Sequence, residues 1–244
     1  MRSVMHMMFV LLVASPSLVA ARSATPRTGY LVAERFALQK SLNGVDGTLE
    51  LFRDDRLTAV AVREMWGVAS WDLAFSPSDH LYKEFSEVPP LKAKLVIRNV
   101  KGELLEGRLL DEPLARLKMW NPPPGDTQFF LLTQDYSIGF GSYNGPITGV
   151  LQVSNGAFHD VKALNVKSHR ENPIHVMKSL KFDWRITRRG DEILSISCHM
   201  ESDDHFVIDY TRYALKGSEW FEYTRQERGT WESDERFPPR SKFP

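Results

Sequence analysis

Residues 194–200 read Leu-Ser-Ile-Ser-Cys-His-Met, a strict alternation of apolar and polar side chains. Successive side chains of an extended chain leave on opposite faces, so this order makes one apolar face and one polar face; on a helix it would scatter around the axis. The same period surrounds it. Phe182, Trp184 and Ile186 precede across Arg189-Gly190-Asp191, Phe206, Ile208 and Tyr210 follow across Ser202-Asp203-Asp204, and Lys216-Gly217-Ser218 turns the chain into residues 220–225. Strands joined by turns this short must run antiparallel, because a parallel return needs a crossover of a dozen residues or more. The last third therefore reads as a four-stranded meander, with Cys198 on its core face.

Upstream the pattern is similar. Asn43-Gly44 and Asp46-Gly47 supply turn chemistry before an alternating segment at 48–53, and Asp54-Asp55 separates it from 57–62, its expected hairpin partner. Lys101-Gly102 divides 92–100 from 103–110 as a second hairpin, and Ser154-Asn155-Gly156 divides 150–153 from 158–166 as a third. Residues 30–42 fit helix or strand. Trp66 and Trp71 are read as packing residues, 76–90 as a surface excursion, and Asn121-Pro122-Pro123-Pro124-Gly125 as a stiff extended connector. Trp231, Phe237 and Phe243 stand among prolines and charges, as aromatic anchors of a tail laid over the surface. The predicted fold is all-β and antiparallel: a sandwich, a barrel or a small propeller-like arrangement with few helices. Residues 22–244 are expected to form a single β-rich domain, with two β modules divided near 167–179 as the alternative.

The window 129–150 is the most distinctive place for function. Phe129, Phe130, Leu131 and Leu132 read as a strand buried on both faces, and the period-two pattern resumes at Ile147. Between them, Gly139, Gly141, Gly145 and Pro146 exclude a regular element. A shaped loop on a rigid sheet is where binding residues concentrate. Asp135, Tyr136, Ser137, Ser142, Tyr143 and Asn144 are its candidate contact residues, the tyrosines offering large amphipathic surfaces.

The N-terminus speaks to compartment. Arg2 precedes an apolar segment at 5–13, followed by Ala14, Ser15, Pro16 and the small residues Ala20 and Ala21, which together resemble a secretory signal peptide spanning 1–21. The apolar stretch is short of the ~20 residues that span a bilayer. The expectation is an exported protein, secreted or periplasmic, with no transmembrane segment after processing. Lys and Arg total 31 and Asp and Glu 31, and removing Arg2 with the leader leaves 30 against 31. That balance disfavours a nucleic-acid partner. Cys198 is the only cysteine, so no intramolecular disulfide forms, and a chain 42% hydrophobic and 11% aromatic has core enough to do without one.

Catalytic patterns are weak. Cys198 and His199 are neighbours and so point to opposite strand faces, which disfavours a thiol nucleophile. Ser137 and Ser142 lack a nucleophile-elbow context, although His159 and Asp160 follow the neighbouring turn. Gly139-x-Gly141 is followed by neither a helix start nor the lysine of a phosphate loop, so no cofactor is expected. His169, Glu171 and His175 straddle Pro173 and do not make a metal-ligand spacing on a helix. Asp203-Asp204 and Asn43-x-x-Asp46 are ordinary acidic turns rather than calcium loops. The leading expectation is a binding protein of the bacterial cell envelope, of inhibitor or immunity type among others, recognising a protein, peptide or saccharide through residues 135–146. The alternative is a secreted hydrolase with a site around Asp135, Ser137, Ser142 and His159.

Overall fold

The computed structural model describes residues 29–57, 88–123, 127–135, 145–202 and 205–244. β1 (Tyr30–Leu38), β2 (Gly47–Asp54), β3 (Lys94–Asn99) and β4 (Leu104–Leu109) form a first antiparallel sheet in sequence order. A middle sheet contains β5 (Ala115–Trp120), β6 (Phe129–Asp135) and β7 (Pro146–Ser154), and the outer edge of β7 is shared by β8 (Ala157–Asp160) and β11 (His175–Met177). The third sheet runs β10 (Glu171–Pro173), β9 (Lys162–Asn165), β15 (Glu219–Arg228), β14 (His205–Lys216), β13 (Glu192–Ser202) and β12 (Phe182–Ile186). Its ladders are antiparallel except where β9 meets β15 in parallel. The fold is thus all-β, of the sandwich kind, and among the described residues no sheet closes into a barrel.

Side-chain parity along β6 explains the stacking. Phe130 and Leu132 pack with Leu49, Leu51, Leu95 and Ile97 of the first sheet, while Phe129 and Leu131 pack with Ile193 and Trp220 of the third. The middle sheet is covered on both faces, and that is why 129–132 is an unbroken apolar run rather than an alternating one. Each such side chain contributes roughly 1.5–3 kcal/mol when fully buried. The outer face of the third sheet is closed by the tail. Trp231, Phe237 and Phe243 cover Leu194, Ile196 and Cys198, with the Phe237 and Phe243 rings stacked 5.6 Å apart. Cys198 is fully buried there.

Several local expectations are met by backbone geometry. Asn155 and Gly156 both take positive φ, 52° and 80°, as a two-residue turn with the twist of its flanking strands requires. Gly102, at +81°, turns β3 into β4. The four-stranded meander appears as β12 to β15. The ambiguous segment 30–42 resolves into β1 followed by one helical turn, α1 (Lys40–Asn43), closed by Gly44 in the left-handed region.

Other expectations are corrected. β2 has β1 on one edge and β3 on the other, and residues 58–62 of the hairpin partner read at 57–62 lie outside the described residues. The strand read at 158–166 is broken at Val161, where the chain leaves the middle sheet as β8 and enters the third as β9. Val161 is held at that crossing from both sides, donating to Val150 O at 2.9 Å and accepting from the Ile174 N–H at 2.9 Å. The segment 167–179, read as a polar linker, carries β10 on the third sheet and β11 on the middle one, with Ile174 buried between them. The leader at 1–21, Trp66 and Trp71, and Tyr136, Ser137, Ser142, Tyr143 and Asn144 of the candidate loop lie outside the described residues. Among the described residues no helix is long and apolar enough to cross a membrane.

Candidate functional site

The register of β6 and β7 defines the stem of the candidate loop. Asp135 pairs with Pro146 at its mouth, followed inward by Gln134 with Ile147 and Thr133 with Thr148. Threonines are at home on a pleated surface, and these two lock the stem by a hydroxyl–hydroxyl bond of 2.8 Å. The second strand of the stem is pinned from outside. Lys178 N–H donates to Pro146 O at 3.1 Å, and Gly145 passes so close to the Lys178 carbonyl that a Cβ there would lie 1.8 Å from the oxygen. Glycine is required at 145 by this approach of two backbones.

Beside the stem a cleft of about 380 Å³ opens between the middle and third sheets. Leu131 and Ile186 form part of both its wall and the core below, so the cleft begins where the packing of the two sheets ends. Arg116 and Lys118 enter from β5, Thr133 and Thr148 from the stem, Lys178 from the end of β11, and Trp184 from β12. Alternation puts Arg116 and Lys118 on the face of β5 opposite Ala115 and Leu117, which belong to the first core.

The electrostatics are cationic. Lys178 Nζ pairs with Asp183 at 3.0 Å and stands 5.8 Å from the centre of the Trp184 ring. Asp183 also accepts the Trp184 backbone N–H at 2.8 Å, so its charge is committed locally. Arg116 lies in the field of Glu34, whose carboxyl is pushed above its ordinary pKa by desolvation, against the opposing pull of the Leu117 N–H, Arg53 and Arg116. The Trp184 indole N–H is buried and has no hydrogen-bond partner among the described residues. A buried donor without an acceptor is costly, by about 1–3 kcal/mol. Among the described residues, the cleft is lined by positive charge, an indole and an apolar floor.

The remaining candidates are distributed as follows. His159 pairs with Gln152, six residues along β7 from Pro146, or about 20 Å of extended strand. The structure does not bring it to the mouth of the loop. Its neighbour Asp160 is held by Arg108 at 3.0 Å. His199 lies on the face of β13 opposite Cys198 and points its Nδ1 toward Asp209 at 3.4 Å. His169, Glu171 and His175 do not converge, and among the described residues no group of three or more His, Cys, Asp or Glu side chains is placed to hold a metal.

Arg116, Lys118, Lys178 and Trp184 were not legible as a set. They come from two strands and the end of a third, and only the packing of two sheets assembles them. The one available signal was that Lys178 falls within the polar segment 167–179. No family model, curated protein or solved structure matches the chain.

Proposed function

We propose that the chain is an exported, non-catalytic binding protein of a bacterial cell envelope, which recognises a protein, peptide or saccharide partner with the 135–146 loop and the cationic cleft at its foot. The observation that carries this reading is the cleft itself: Arg116, Lys118 and Lys178 line it with Trp184, whose buried indole N–H has no acceptor among the described residues, immediately beside the locked β6–β7 stem. An acidic or carbonyl-rich group fits it, taking the indole N–H as donor while the cations compensate its charge. Export rests on the leader-like order of residues 1–21.

Two measurements test the two halves. Replacing Tyr136, Tyr143 and Asn144 with alanine should lower affinity for the partner at least tenfold while moving the melting temperature by no more than about 2 °C, and Trp184→Phe should weaken binding by removal of the donor alone. The partner is to be selected from acidic-peptide and glycan arrays with the full chain. Unaltered binding in both variants removes the reading. For export, the intact mass of the chain recovered from a periplasmic fraction should correspond to processing after Ala20 or Ala21; unprocessed protein retained in the cytosol would remove that half.

A further inference from the structure

The other side of β12 carries a second, larger depression. A groove of about 920 Å³ runs between the β12–β13 turn and the C-terminal tail, at the upper end of the size of small-molecule sites. Arg185, Arg188, Arg189, Arg236 and Arg240 line it together with only two carboxylates, Asp191 and Glu192. All five arginines are exposed, in a protein whose total charge is balanced.

Both acids are already compensated. Glu192 receives Arg240 through two bonds, 2.7 and 2.9 Å, and Arg212 at 3.0 Å, while Asp191 is paired with Arg189 at 3.5 Å. Among the described residues Arg185, Arg188 and Arg236 have no ion-pair partner. Arg185 lies over the Phe237 ring, with its guanidinium carbon 3.4 Å from the ring centre, a cation–π contact that uses the face of the guanidinium and not its N–H edge. Desolvation, together with the like charge of Arg236 and against the pull of Asp183, holds its pKa below the ordinary value. Three uncompensated forks around one groove are a receptor for several oxyanions at once, each held through two bonds.

The walls select among polyanions. Among the described residues Phe237 is the one aromatic side chain lining the groove, and it is covered by Arg185, so none of them offers a free ring to stack a nucleobase. A peptide adding to the free edge of β12 meets a blunted edge, since Phe182 O accepts Ser179 N–H at 2.9 Å and Trp184 N–H is taken by Asp183. Pro238 and Pro239 present rigid C–H surfaces beside the guanidinium forks, suited to the C–H faces of sugar rings. We infer that this groove, separate from the cleft beside the loop, is a binding site for an acidic saccharide, held through ring carboxylate or sulfate groups by Arg185, Arg188 and Arg236.

Calorimetric titration of the full chain with a galacturonate hexamer and a sulfated dextran oligosaccharide, beside neutral maltohexaose and polyglutamate, tests the inference. Binding of at least one acidic saccharide in the micromolar range at low salt is expected, weakening as salt rises, with no binding of maltohexaose. Arg188→Gln combined with Arg236→Gln should lower that affinity at least tenfold with an unchanged melting temperature. Lys101→Gln combined with Lys167→Gln, which removes equal charge from exposed turns elsewhere, should leave it unaltered. The inference is overturned if neither acidic saccharide binds, if polyglutamate binds as tightly, if the arginine pair can be removed without effect, or if the two lysines matter equally.

Discussion

Asp54 shows how much one buried charge can carry. Its side chain is fully buried and takes Arg56 at 2.6 and 2.9 Å, the Arg56 N–H at 3.0 Å and the Leu91 N–H at 2.8 Å. Desolvation pushes its pKa up, but these bonds outweigh it and the net shift is downward. Arg56 in turn donates to Val88 O at 2.8 Å, so the pair ties together the two ends of the chain flanking 58–87. Asp54→Ala removes the carboxylate from Arg56 and the acceptor of the buried Leu91 N–H, and should destabilise the fold by about 3–5 kcal/mol, read from the urea midpoint. Gly145→Ala puts a methyl against the Lys178 carbonyl and should cost about 1–3 kcal/mol while weakening partner binding, because it moves the stem of the loop. A stability change without any effect on binding would separate the stem from recognition. At this scale the turns were legible, since Asn155-Gly156 dictates its own φ angles. Trp184 and Lys118 were not, because nothing local to either residue announces the other.

Among the elements, the tail and the β6–β7 hairpin depend on contacts made far along the chain. The tail is held by Phe237 and Phe243 in the outer core and by Arg240 on Glu192. Hydrogen bonding from Arg240 first, and from Arg212 as well, outweighs desolvation and holds the Glu192 carboxyl below its ordinary pKa of 4.5. The unfolded chain therefore takes up the proton before the folded one does, so this stabilisation is complete above about pH 4.5 and is lost as pH falls further. Glu192→Gln should lower the urea midpoint at pH 7 and make it fall less between pH 7 and pH 3.5 than in the unsubstituted chain. An equal fall in both would place the acid sensitivity elsewhere. Strands of the last third were readable because period two is a local property. The break at Val161 was not, because residues 158–166 alternate well enough for one strand and the switch of sheets is imposed by Val150 and Ile174.

Across the whole molecule, the three sheets are interleaved in sequence. β8 and β11 belong to the middle sheet, β9 and β10 to the third, and all four lie within residues 157–177. Separating the middle and third sheets would break this stitching as well as the core beneath Phe129 and Trp220. Unfolding in urea should be a single transition, with coincident far-ultraviolet dichroism and tryptophan fluorescence. Two separated transitions would favour the two-module organisation instead. Phe130, fully buried between the first and middle sheets, should cost about 3–5 kcal/mol as Phe130→Ala and shift both probes together.

Side-chain period, turn chemistry and the apolar run at 129–132 were enough to establish an antiparallel all-β chain, most of its hairpins, a buried Cys198 and an aromatic-anchored tail. These follow from neighbours in the chain, whose geometry the backbone transmits directly. Pairings between strands distant in the chain, the crossing at Val161, the cationic cleft and the arginine groove emerged only from three-dimensional packing. Their members are brought together by burying shared apolar area, a force proportional to area and indifferent to position in the chain, so a linear reading leaves many pairings equally acceptable.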